Sequence, residues 1–152
     1  MADSWDMRRF RFRLAPLLRL RSQIERTARK DLAVSMAEVH TLDQQLEAAD
    51  RGLADCADQG ARGDSVGDLA RALEGGLRRH RWQLERRRKE AARQLEVVRA
   101  EYVEKAREAK TLQRLHDEEH AQWRLESQRA EQAELDELAV LGHGLEAGAA
   151  SC

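Results

Sequence analysis

Apolar residues recur along this chain at alternating steps of three and four, and that spacing sets out its elements. Ala28, Leu32, Ser35, Val39, Leu42, Leu46, Ala49, Leu53 and Cys56 keep the alternation for four heptads. Leu14, Leu17, Arg21 and Ile24 extend the seam upstream, and Pro16 stands where a first helical turn tolerates it. A second seam runs through Leu84, Arg88, Ala91, Leu95, Val98, Tyr102, Lys105, Ala109 and Leu112. Between the two lies the only stretch that reads as a loop. The pattern predicts an all-α fold, a long antiparallel two-helix coiled-coil hairpin in a single domain over 1–152. Helix 1 is expected at about 14–58, the loop at about 59–65 and helix 2 at about 66–140, with a frayed tail over 141–152. Gly75-Gly76 predicts a break near the start of helix 2, since each glycine costs about 1 kcal/mol relative to alanine. Helix 2 is the longer one, so its last 25 or so residues are expected to overhang without a partner strand.

Charge sharpens this picture. Lys and Arg number 27 and Asp and Glu 28, together 36% of the chain, where about 25% is usual for a globular domain. They fall in blocks. Residues 1–30 are net +6, 31–77 net −7, 78–110 net +6 and 111–152 net −6. Folding at about residue 62 would bring residue i near residue 124 − i. Acidic residues 31–46 would then face Arg78, Arg79, Arg81, Arg86, Arg87, Arg88, Lys89 and Arg93. Flanking charges of this kind set orientation in coiled coils. They favour an intramolecular hairpin over a parallel dimer, in which like would meet like.

Composition narrows the function classes. Six aromatics, nine glycines and one proline suit neither a compact enzyme core nor an all-β or α/β fold. No run of 18 apolar residues predicts a membrane span. The N-terminus carries no uninterrupted apolar core, so no secretory signal is expected. Arg8-Arg9 resembles a twin-arginine signal, but Arg11, Arg13, Arg19 and Arg21 interrupt what should be its apolar stretch. Cys56 and Cys152 have no metal-type spacing and read as reduced thiols of a cytoplasmic protein.

His116-Asp117-Glu118-Glu119-His120 formally matches an inverted zincin pattern. A zinc hydrolase would need a third ligand and an enclosed cavity, and the plain reading is two solvated histidines. The arginine-rich run 78–93 could bind nucleic acid through phosphates, or it could serve intramolecular charge matching. Phe10, Phe12 and Leu14 alternate with Arg11 and Arg13. They read either as an extended, partner-dependent segment or as a clamp onto helix 2 near Leu112 and Leu115. Trp82 lies off the seam, either as a docking anchor or as an indole packed on neighbouring side chains.

The N-terminal run F-R-F-R-L-A-P-L-L-R-L-R-S-Q-I-E, Phe10 to Glu25, resembles the opening of the flagellar export protein FliJ family. Leu112, Leu115 and the run E-Q-A-E-L-D-E-L-A, Glu131 to Ala139, resemble that family's ending, and H-R-W-Q-L at His80 to Leu84 is similar in character. The resemblance implies a non-catalytic component of the flagellar type III export apparatus, without cofactor, metal or small-molecule substrate. It implies an antiparallel coiled coil similar to the stalk of rotary ATPases. The expected partners are the hexameric export ATPase, the cytoplasmic domain of the export gate, and export chaperones. No nucleic acid and no membrane insertion are expected, only peripheral association with the cytoplasmic face through the apparatus. On this reading Phe10, Phe12, Leu14, Leu17, Leu18 and Arg21 engage the ATPase, and Leu69, Leu73, His80 and Trp82 contact the gate. The alternative is a cytoplasmic coiled coil that binds nucleic acid or ribosomes through residues 78–93.

Overall fold

A computed structural model describes residues 9–149, with side chains through residue 144; Cys152 and the last residues of the expected tail lie outside the described residues. Two helices make up the fold, α1 over Ala15–Gly60 and α2 over Ser65–Ala149, with no strand among the described residues. By its contacts the described chain divides into two units, one of residues 22–107 and one of residues 9–21 with 108–149.

In the first unit, residues 22–60 and 65–107 pair antiparallel. Every residue of the expected α1 seam from Ala28 to Cys56 is buried or half-buried, as is the α2 seam from Leu84 to Lys105. Two helices can enclose only a thin core. Leu42, Ala49, Leu84 and Ala91 form it, flanked by Val39, Leu46 and Leu77. Cross-helix ion pairs border it: Arg88 donates to Asp43 at 2.9 Å, and Arg81 bonds Asp50. The residue numbers in each pair total 131, not the expected 124. The two helices are thus displaced by seven residues, one heptad, from the sequence-based register.

The turn explains the displacement. It occupies only residues 61–64, and Gly63 takes the left-handed φ of +72° that a side chain would oppose. Asp64 caps α2, its carboxylate accepting the Gly67 N–H at 2.9 Å. The first inward residue of α2 is Gly67, pressed so close to α1 that a Cβ there would stand 3.1 Å from the Gln59 carbonyl oxygen. One turn later Arg71 donates to the Gly60 carbonyl at 2.9 Å and satisfies an end group of α1. The first turn of α2 is therefore spent beside the end of α1.

Two sequence expectations need correction. α2 passes through Gly75 and Gly76 without a break, held by the flanking half-buried Glu74 and Leu77. The chain also stays helical through Ala149 instead of fraying from residue 141. It does so despite three glycines in residues 141–149, where the two leucines, two alanines and Glu146 are the helix formers.

In the second unit, residues 10–21 lie against α2 from residue 108 onward. The N–H of Ala15 donates to Phe12 O at 3.1 Å and that of Leu18 to Leu14 O at 2.9 Å, which starts α1. Arg21 closes on Glu108 at 2.5 Å. Residues 128–144 are exposed throughout. No helix among the described residues is long and apolar enough to cross a membrane.

Candidate partner-binding site

The N-terminal candidates do not share one environment. Phe12 is buried at 8% exposure, its ring edge-on to His116 with centroids 5.2 Å apart. Phe10 is half-buried among His116, His120 and Trp123, with ring centroids at 5.4, 4.9 and 5.9 Å. The clamp is therefore real, but it closes on an aromatic and histidine face just beyond the Leu112–Leu115 stretch. Leu14, Leu18 and Arg21 are half-buried, while Leu17 turns outward. Leu20, at 55% exposure, is more open than any of the six and was missed because it stands off the seam. Leu17 and Leu20, three apart on α1, form the accessible apolar part of this segment.

His116 and His120 serve the clamp. Their rings lie parallel to within 3° at 6.1 Å, and the His116 Nδ1–H donates to Asp117 Oδ1 at 3.0 Å. That bond, joined by one from the Gln113 amide, holds the Asp117 carboxyl below the usual carboxylate range. Among the described residues no group of three or more His, Cys, Asp or Glu side chains is placed to hold a metal ion. The zincin-like spacing has produced two packed rings.

The turn-proximal candidates are all exposed: Leu69 at 62%, Leu73 at 58%, Trp82 at 56%, and His80. Leu69, Leu73 and His80 recur at steps of four and seven, so they line one helical face. Val66, also exposed, joins them by a step of three to Leu69. That step of three is present in the sequence as well. Trp82 follows His80 by two residues, about 200° around the helix, so it belongs to a separate face. There the Arg86 guanidinium stacks over the indole, 4.9 Å from the ring centroid.

The arginine-rich run is divided in the same way. Arg81 and Arg88 turn toward α1 and its acids, while Arg78 bonds Glu74 along α2. Arg79, Arg86, Lys89 and Arg93 lie on the exposed Trp82 face.

Compared with known proteins, the chain matches the family model described as Flagellar FliJ protein over residues 10–147. Neither the curated proteins nor the solved structures compared with it include a match.

Proposed function

The chain belongs to the flagellar FliJ protein family, and we propose that it is a non-catalytic component of the flagellar export apparatus that links the export ATPase to the export gate. The observation that carries this reading is the span of the match, which begins at Phe10 and takes in both terminal motifs. On this reading the protein is cytoplasmic and reaches the membrane face only through its partners. The N-terminal segment engages the hexameric ATPase. Clamping by Phe10 and Phe12 supports this role by fixing where Leu17 and Leu20 are presented, so little ordering entropy is lost on docking. The gate contact falls on the Leu69, Leu73 and His80 face, which Val66 enlarges, with Trp82 as a second point of attachment on its own face. Export chaperones bind the exposed C-terminal stretch of α2, which leaves the other contacts unobstructed.

Binding to the export ATPase of the same genome tests the reading. Complex mass would be measured by gel filtration with light scattering, for the native chain and for Leu17→Asp with Leu20→Asp. Both leucines are exposed, so the variant keeps the clamp and the helices. The native chain is expected to form a complex that the variant loses. Equal binding by both would refute the assigned contact, and no binding by either would refute the ATPase role.

A further inference from the structure

Two largely exposed stretches of α2, which the proposed gate and chaperone contacts draw on only in part, form complementary seams. The first follows the Trp82 face: Arg79, Trp82, Arg86, Lys89 and Arg93 recur at steps of 3-4-3-4. This face is turned away from α1, because Leu84, Arg88 and Ala91 point the other way into the core and toward Asp43. The second lies near the C-terminus: Ser127, Glu131, Glu134, Leu138 and Leu141 recur at steps of 4-3-4-3. Leu138 and Leu141 are 64% and 65% exposed, and both glutamates are exposed as well. Each stretch has the heptad spacing of a helix that packs on another helix.

Read in opposite directions, the two seams match position by position. Leu138 meets Trp82, Glu134 meets Arg86 and Glu131 meets Lys89. Leu141 then covers the Arg79 stem, and Ser127 meets Arg93. A parallel alignment that keeps Leu138 on Trp82 brings Glu134 to Arg78, Glu131 to Gly75 and Leu141 to Glu85, all off the Trp82 seam. The antiparallel register joins the exposed indole, a residue type that anchors interfaces, to an exposed leucine and flanks them with opposite charges.

We propose that the protein self-associates, residues 127–141 of one copy docking antiparallel on the Arg79–Arg93 face of α2 in a second copy. The occupant is another copy because this chain's own sequence supplies both the charge complement and the apolar complement in one register. The contact joins unlike patches, so it is heterologous.

Sedimentation equilibrium of the full chain tests this at about 20 mM and about 500 mM salt, which changes the screening length several-fold. Above-monomer mass that grows with concentration and falls at high salt is expected. Arg86→Glu alone, or Glu134→Arg alone, replaces attraction with repulsion and is expected to weaken association by roughly five- to tenfold. Mixing the two variants pairs Glu with Arg in both directions and is expected to restore it. Lys89→Glu with Glu131→Lys repeats the design without touching the guanidinium stacked on Trp82. A monomer under all conditions overturns the proposal. So does association that neither reversal changes, or that mixing fails to restore.

Discussion

Gly75 and Gly76 give the sharpest test of the helix path. Both lie inside α2, neither has a positive φ, and a Cβ built on either would meet nothing within 4 Å. Alanine at these positions adds no contact and removes none. Its effect is the propensity difference alone, about 1 kcal/mol per site, arising in the backbone freedom of the unfolded chain. Neighbours one apart on a helix do not face each other, so the two effects should nearly add. Gly75→Ala with Gly76→Ala is expected to stabilise the protein by about 1.5–2 kcal/mol. For a unit of this size that is a rise on the order of 10 °C in Tm. The assay is urea unfolding followed by helical circular dichroism, read as a midpoint shift at constant slope. Gly67→Ala is the contrast, since its Cβ would press on the Gln59 and Gly60 carbonyl oxygens at 3.1 and 3.3 Å. Backbone atoms of a capped turn cannot give way cheaply, so this variant should lose stability. A double variant no more stable than the native chain would refute an uninterrupted α2.

Three further outcomes follow from the packing. Leu84→Ala, at the most buried core position with 2% exposure, should cost about 2–4 kcal/mol in the same unfolding assay, because a two-helix core closes a cavity only in part. Phe12→Ala should release the N-terminal clamp, seen as faster tryptic cleavage after Arg11 and Arg13 while the helical signal is kept. The Asp117 carboxyl is held below its usual range chiefly by His116 and then by Gln113. The stability it contributes is therefore present above the ordinary carboxylate pKa and lost as pH falls through the depressed value. Asp117→Asn should flatten that acid limb of the unfolding midpoint and leave the carboxylate's contribution absent at neutral pH.

The inward residues were legible because a heptad seam is a local property. Ser35 shows how strongly spacing rules: it is polar, it stands on the seam, and it is 8% exposed. Register was not legible for the same reason. Sliding one helix by seven residues returns a to a and d to d, so the seam cannot distinguish the expected pairing from the observed one. The choice falls to the turn, where the Asp64 cap and the Gly60–Gly67 approach fix the offset. Helix propensity at Gly75-Gly76 misled because Leu77 beside the pair packs into the core cluster. Among the site residues, the alternation Phe10–Phe12 leaves two readings open, a partner-dependent segment and a clamp onto helix 2, and in the structure Phe12 is buried against His116. Which side chains supply the cover depended on the helix offset, so His116, His120 and Trp123 were out of reach. Trp82 was grouped with Leu69 and Leu73 by proximity along the chain, although helical phase separates them.

Flagellar protein export is the central claim, and it can be measured in the bacterium that encodes the chain. The gene would be deleted and flagellar proteins secreted into the medium quantified, with complementation by the native gene and by Leu17→Asp with Leu20→Asp. Secretion and swimming are expected to fall on deletion, to return with the native gene, and to stay low with the variant at equal protein level. Undiminished secretion and swimming after deletion would contradict the claim.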